Sequence, residues 1–259
     1  LCDSLMGAFG EGKAFVDWGD CYFIGSLDSV SQDEGYWVIL NTFPDSLVID
    51  GAVPVSYDAD GEVIYEIHYG NNLISYSFQT GQTPSEALGD AAANIYALAG
   101  EGNAAINTVD GWMGSLQALE GGNGYWLVAT ANFEFSFNGT DGGLTRSAQL
   151  ELRRLPEVYS YRQSDQQAFF FVESATINGE SLEDDDIVIA YNGDVIVGSR
   201  YWNGEYTDIP AMGFTEFVDT NLVAGYCKNG DEISFKVWDD SAGTLLDMVA
   251  GGEVEWNSM

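Results

Sequence analysis

The chain has 259 residues, 46% of them hydrophobic, which is enough length for two or three domains and enough apolar side chain for their cores. Forty-one acidic residues stand against eight basic ones, a formal net charge of −33. That balance excludes DNA and RNA as partners, because phosphate binding needs basic stripes, and it opposes docking to anionic lipid.

Charge of this size destabilises a compact state by self-repulsion, and the repulsion fades once salt brings the Debye length below ~8 Å. The chain therefore suits a salty medium, bound divalent cations, or both. No apolar run reaches the ~18 residues of a membrane-spanning helix, so no membrane insertion is expected. It begins at Leu1 and shows no signal peptide, as expected of a mature or partial product.

Residues 1–66 read as an incomplete first copy of a unit that recurs, complete, at 67–156. Leu5-Met-Gly-Ala-Phe-Gly-Glu-Gly12 is matched by Ile95-Tyr-Ala-Leu-Ala-Gly-Glu-Gly102, Phe23-Ile-Gly-Ser-Leu27 by Trp112-Met-Gly-Ser-Leu116, and Gly35-Tyr-Trp-Val38 by Gly124-Tyr-Trp-Leu127. The offset is 90 and slips to 89 before the Gly-Ser-Leu. Tandem copies of a small unit are the mark of modular arrays and binding surfaces more than of a single catalytic pocket.

Within the first copy, Cys2 and Cys21 are close enough in sequence to form a disulfide, and the other reading makes Cys2, Cys21 and Cys227 small buried hydrophobes. This copy lacks counterparts of the Asn72–Phe78 strand and of most of the helix after it. Upstream sequence could hold the missing part, or a strand from a neighbouring subunit could fill the gap by β-strand addition.

The second copy opens with the alternating strand Asn72–Phe78. Thr83 then stands as helix N-cap, Pro84 at the first helical position, and Glu86 closes a capping box. Leu88, Ala91, Ala92, Ile95, Tyr96 and Leu98 continue the apolar stripe, which predicts a helix running to glycine caps at Gly100 and Gly102. Strands are predicted at Trp112–Leu116, Tyr125–Ala131 and Phe133–Phe137, giving a short helix on a small antiparallel sheet.

Residues 157–259 differ in sequence from both copies. Asn178-Gly179, Asn192-Gly193, Asn203-Gly204 and Asn229-Gly230 punctuate β-rich runs at 169–177, 187–191, 195–202, 232–238 and 244–249. Asn-Gly supplies the positive φ angles of a type I′ turn, so these runs predict an antiparallel, Ig-like β-sandwich. The expected fold class is thus mainly β with short helices: two related α+β units followed by a sandwich.

The segments Ile177-Asn-Gly-Glu-Ser-Leu182, Asp186-Ile-Val-Ile-Ala-Tyr-Asn-Gly-Asp-Val-Ile-Val-Gly198, Asp208-Ile-Pro-Ala-Met-Gly213 and Phe235-Lys-Val-Trp-Asp239 resemble a β-sandwich module of large secreted or surface proteins of marine bacteria. Similar modules occur in marine phage structural proteins, and the Gly-Ser-Leu and Gly-Tyr-Trp units look like repeats that accompany them. The resemblance implies an extracellular, cell-surface or virion-surface location and a modular build, and it carries no activity with it.

Candidate chemistry is sparse. His68 is the single histidine, no Gly-x-Ser-x-Gly elbow accompanies it, and Gly25-Ser26 and Gly114-Ser115 recur as structural positions, so a hydrolytic triad is not expected. Gly100-Glu-Gly-Asn-Ala-Ala105 imitates a dinucleotide fingerprint, which needs a strand before it and a helix after it. With so many acids, carboxylate pairs meet by chance and point to no glycosidase.

Calcium is the best-supported cofactor, because hard cations take clustered carboxylate and carbonyl oxygens. The candidate ligands are Asp58, Asp60 and Glu62, Asp184 and Asp186 with Asp194, and Asp239 with Asp240; the alternative for each group is a solvated acidic loop. Tyr201, Trp202 and Tyr206 flank a polar turn and could stack on a glycan, or pack inward, as one ring of each Tyr36-Trp37 and Tyr125-Trp126 pair must. These features predict a non-enzymatic, self-associating structural or adhesive protein, with a carbohydrate-binding accessory region as the alternative.

Overall fold

In the computed structural model the described residues are 5–40, 63–78, 80–139, 153–216 and 220–258. Cys2 and the Asp58–Glu62 segment therefore lie outside the described residues. The protein is mainly β, with several antiparallel sheets and, among the described residues, one short α-helix. Two compact units form, Leu1–Gly100 with Ala118–Ala148 and Glu101–Gln117 with Gln149–Met259. The expected boundaries at 66/67 and 156/157 do not coincide with them, since residues 101–117 of the second copy group with the C-terminal part.

In the first unit, β1 (Leu5–Gly10), β2 (Lys13–Asp17), β3 (Phe23–Gly25) and β4 (Trp37–Leu40) make a sheet ordered β3-β2-β1-β4. Next come β5 (Tyr65–Ile67), β6 (Gly70–Ser75), α1 (Pro84–Leu88) and β7 (Ile95–Ala99). The hairpin of β8 (Ala104–Thr108) and β9 (Gly111–Gly114) lies in the second unit, whereas β10 (Gly124–Ala129) and β11 (Phe133–Phe135) lie in the first. There β10 pairs with both β6 and β7, and β11 pairs with β5. Tyr65, Phe135 and Phe137 interlock with ring centroids 5.1 Å apart and anchor this end of the core.

The sequence repeat is a repeat of strand register. On β1 and β4 the partners are Phe9↔Trp37, Ala8↔Val38 and Gly7↔Ile39, and a bulge then skips Met6 to give Leu5↔Leu40. On β7 and β10 they are Ala99↔Trp126, Leu98↔Leu127 and Ala97↔Val128, and a bulge skips Tyr96 to give Ile95↔Ala129. The pairs Phe15↔Gly25, Val16↔Ile24 and Asp17↔Phe23 of β2–β3 likewise recur on β8–β9 as Ala105↔Gly114, Ile106↔Met113 and Asn107↔Trp112. The Tyr36 hydroxyl accepts the Ser31 N–H at 2.8 Å, as the Tyr125 hydroxyl accepts that of Glu120 at 2.8 Å. A slip of one residue would turn every side chain to the other face, so matched registers with a matched bulge specify the same packing twice.

The offset changes from 90 to 89 at the hairpin tip. Trp18–Tyr22 separates Asp17 from its partner Phe23, whereas the shorter Thr108–Gly111 separates Asn107 from Trp112. The longer tip is accommodated by positive φ at Gly19 (109°), Asp20 (54°) and Cys21 (61°).

The capping box forms as the sequence predicts: Thr83 Oγ1 accepts the Glu86 N–H at 3.3 Å and the Thr83 N–H donates to Glu86 Oε2 at 2.9 Å. Those Thr83 donors hold the Glu86 carboxyl below its ordinary range. Thr83→Ala is expected to lower stability by about 1 kcal/mol, read as a shifted urea midpoint.

The helix itself is much shorter than the stripe predicts. Gly89 adopts φ 49°, ψ −126°, residues Gly89–Asn94 wind as 3₁₀ helix, and Ile95–Ala99 is strand β7. A short, almost continuously buried apolar run fits either period, and pairing with β10 decides it. Gly100 and Gly102 are consequently not helix caps: they lie between strands β7 and β8, and Gly102 sits at φ 70°. No helix follows them, so the dinucleotide fingerprint has no phosphate-binding helix terminus.

In the second unit, β12 (Gln167–Val172), β13 (Thr176–Ile177), β14 (Glu180–Ser181), β15 (Ile187–Asn192), β16 (Val195–Tyr201), β17 (Thr207–Met212), β18 (Ile233–Asp239) and β19 (Thr244–Asp247) follow. They form a four-stranded sheet, β16-β15-β18-β19, and a pair, β12-β17. Val188, Ala190, Val197, Ile209, Ala211 and Val223 are wholly buried in their shared core. Asn178 (φ 53°) and Gly179 (φ 88°) make the expected type I′ hairpin of β13–β14. At the next signal Asn192 is still paired with Val195, so the turn moves one residue on, to Gly193-Asp194.

Strand β17 is not among the predicted runs. Pro210 argues against a strand on sequence grounds, yet here it pairs with Phe169 on a two-stranded ladder and needs no second neighbour for its missing N–H.

Candidate functional site

The chain has only eight basic residues, and one of them, Arg200, is buried in the second unit beside the buried Asp208. Strand β16 carries Arg200 and strand β17 carries Asp208. Arg200 donates from Nε to the Asp208 carbonyl at 2.9 Å, and from Nη2 to Asp208 Oδ2 at 3.0 Å and the Gly102 carbonyl at 2.7 Å. The carboxylate also accepts the Ala104 N–H at 3.1 Å, the Ser115 N–H at 2.8 Å and the Ser115 hydroxyl at 2.6 Å. Each carboxylate oxygen is satisfied by donors fixed on the β8–β9 hairpin.

This arrangement is a latch. A buried charge is tolerated when it is paired and hydrogen-bonded, and here two of the carboxylate's four donors are backbone N–H groups that cannot rotate away. Burial pushes the Asp208 carboxyl above its ordinary value, opposed by Arg200 and by the Ser115 donors. Asp208 Oδ2 takes three of the four donors and Oδ1 takes the Ser115 N–H. The latch therefore fixes the hairpin that bears Gly102, Ala104 and Ser115 to strands β16 and β17.

Next to the latch is a pocket of about 270 Å³ whose lining includes Tyr161, Arg200, Tyr201, Trp202 and Asn203. The Arg153 guanidinium lies 3.9 Å over the Tyr201 ring and pairs with Asp185 at 2.7 Å. Trp202 is only 6% exposed and belongs to the core, and Tyr206 is half-buried at φ 59°. Of the three rings expected to stack on a glycan, Tyr201 and Trp202 reach the pocket and none is fully exposed. In the Tyr125-Trp126 pair, Tyr125 is the buried ring and Trp126 is half-buried.

Among the described residues the candidate calcium ligands each have partners of their own or lie exposed. Asp186 is buried and caps two turns, accepting the Glu183 N–H at 2.8 Å and the Asp240 N–H at 3.0 Å. Asp239 accepts from the Ser241 hydroxyl and the Ala242 N–H, and Asp240 from the Trp238 indole. Asp184 and Asp194 are exposed, and Asp58, Asp60 and Glu62 lie outside the described residues. Among the described residues no group of three or more His, Cys, Asp or Glu is placed to hold a metal.

Of the cysteines, Cys227 is a buried core residue whose thiol burial pushes up to about 12, whereas Cys21 is exposed on the hairpin tip and does not fit the buried reading. His68 is engaged on both nitrogens, by Glu11 Oε1 at 2.6 Å and the Tyr69 carbonyl at 2.9 Å. Glu11 raises its pKa, so this contact stabilises the fold below the imidazole's unfolded pKa and is lost as pH rises through the folded one. Glu11→Gln is expected to move the His68 midpoint down toward its ordinary value in an NMR titration.

Neither Arg200 nor Asp208 is among the site residues expected from the sequence, although Asp208 opens one of the segments that carry the resemblance. The available signal was an arginine inside the apolar run Val195–Trp202 of a chain so poor in bases. Gly114-Ser115 was legible as a structural position, though its partner was not. Comparison with protein-family models, with curated proteins and with solved structures gives no match. No helix among the described residues is long and apolar enough to cross a membrane.

Proposed function

We propose that the chain is a non-enzymatic extracellular structural or adhesive protein, a subunit of a surface array, fibre or virion. It is read as two related α+β units followed by an Ig-like β-sandwich, in keeping with the modules of marine surface and phage structural proteins that its sequence resembles. The single observation that carries this reading is the residue-for-residue recurrence of strand register, bulge included, across the two copies. Such duplication builds repeated surfaces, and the buried latch holds one of them rigidly without supplying a reactive group.

Self-association through repeated edges, in a salty medium that screens the acidic surface, is the mechanism this supports. Negative-stain microscopy of the purified chain in high salt should show ordered filaments or rings, and a persistent dilute monomer would remove the reading. Calcium bound in the acidic turns should raise the thermal midpoint. A melt that is the same with calcium and with chelator would exclude structural calcium.

The pocket beside the latch favours one second reading, a carbohydrate-binding accessory region. On that reading Tyr201→Ala, which strips a lining ring, abolishes binding on a glycan array while the melt stays cooperative. Binding that survives the substitution would place any glycan elsewhere.

A further inference from the structure

The two copies share a hairpin, and only the second has its latch partner among the described residues. Gly102, Ala104 and Ser115, which grip the Arg200–Asp208 pair, correspond to Gly12, Ala14 and Ser26 on β2–β3. Two features of the backbone recur in both places. Leu116 donates its N–H to the Ala104 carbonyl at 2.9 Å as Leu27 does to that of Ala14 at 3.0 Å. A Cβ on Gly114 would lie 2.3 Å from the Ala104 carbonyl oxygen, and one on Gly25 would lie 2.0 Å from that of Ala14.

The surroundings differ. Ala104 and Ser115 are 1% and 6% exposed, whereas Ser26 and Gly12 are exposed and Ala14 is half-buried. With no carboxylate seated on it among the described residues, the polar groups of the first hairpin turn on each other: Ala14 N–H donates to Ser26 Oγ at 3.3 Å and Ser26 N–H to the Ala14 carbonyl at 2.8 Å. Met6 and Ile24 of the same sheet stand exposed, at 38% and 37%.

We infer that the β2–β3 hairpin is a second seat for an Arg–Asp pair, supplied by a β-sandwich of the 153–258 kind on another polypeptide. The carboxylate takes the N–H groups of Ala14 and Ser26 and the Ser26 hydroxyl, in exchange for their mutual contacts, while the arginine donates to the Gly12 carbonyl. Because the pair enters as a neutral unit, the acidic surface around the hairpin does not repel it as it would a lone carboxylate. This deepens the scaffold reading and rests on it, by naming the partner chemistry of one repeated surface.

The test uses the full chain. Ser115→Arg fills the occupied seat with bulk and a competing cation, and Ser115→Asp sets a carboxylate against Asp208 without bulk; each frees an Arg200–Asp208 pair. In sedimentation velocity at low ionic strength both variants are expected to rise to about twice the mass of the unsubstituted chain under the same conditions, as the freed pair docks on the β2–β3 hairpin of a second molecule. Adding Ser26→Arg to either should return the mass of the unsubstituted chain. A rise that persists with Ser26→Arg, or no rise in either single variant, overturns the proposal. Neither result alters whether the unsubstituted chain forms filaments, so the seat and the scaffold reading fail separately.

Discussion

Asp208→Asn is expected to cost about 3–5 kcal/mol of unfolding free energy, and to expose the Ala104 and Ser115 amides to hydrogen exchange. The carboxylate receives the Arg200 guanidinium, two backbone N–H groups and a hydroxyl, and it is almost wholly buried. Asparagine keeps the shape, yet its amide nitrogen must face one of those donors, and the Arg200 charge is left buried without a counter-charge. The double substitution Arg200→Met with Asp208→Leu removes both charges and should cost clearly less than the two single changes added together. A denaturant series giving simple additivity would show that the pair is not the unit holding the hairpin. Domain stabilities of about 5–15 kcal/mol leave the single variant folded enough to measure.

Gly198→Ala is expected to cost more than about 3 kcal/mol, beyond ordinary overpacking, because the obstacle is backbone. A Cβ at Gly198 would fall 1.6 Å from the Pro210 carbonyl oxygen, and no side-chain rotation can clear it. Strand β16 would have to move off β17, opening the core around Val197, Ile209 and Ala211 and shifting Arg200 from Asp208. Gly198 has no positive φ, so the requirement is for space alone. A lowered melting temperature together with lost protection at Ala104 would confirm the coupling. A melt within a degree or two of the parent would show that the sheets part freely.

Much of the strand pattern could be read directly. The capping box at Thr83 and the Asn178-Gly179 turn rest on local chemistry and stand where the residues put them, and the strand expected over Phe133–Phe137 forms over Phe133–Phe135. The repeat was legible because glycines and tyrosines at fixed spacing are demanded by close backbone approach and by a corner hydrogen bond. What escaped was set by distant partners. The stripe from Leu88 to Leu98 is helical in period but becomes strand where β10 offers a ladder, and Pro210 hid β17 because its edge position is a property of the sheet. The Arg200–Asp208 latch joins residues whose contacts at Gly102 and Ser115 lie about a hundred positions away. Nothing in a single strand announces such a meeting.

The unequal hairpin tips have a practical side. One copy carries Trp18–Tyr22 where the other manages with Thr108–Gly111, while the rungs beneath stay aligned. The duplicated unit thus tolerates insertion at its outer bend. An epitope or fluorophore-bearing peptide grafted between Gly19 and Asp20 would ride on an undisturbed ladder, giving a handle by which this polypeptide could be followed.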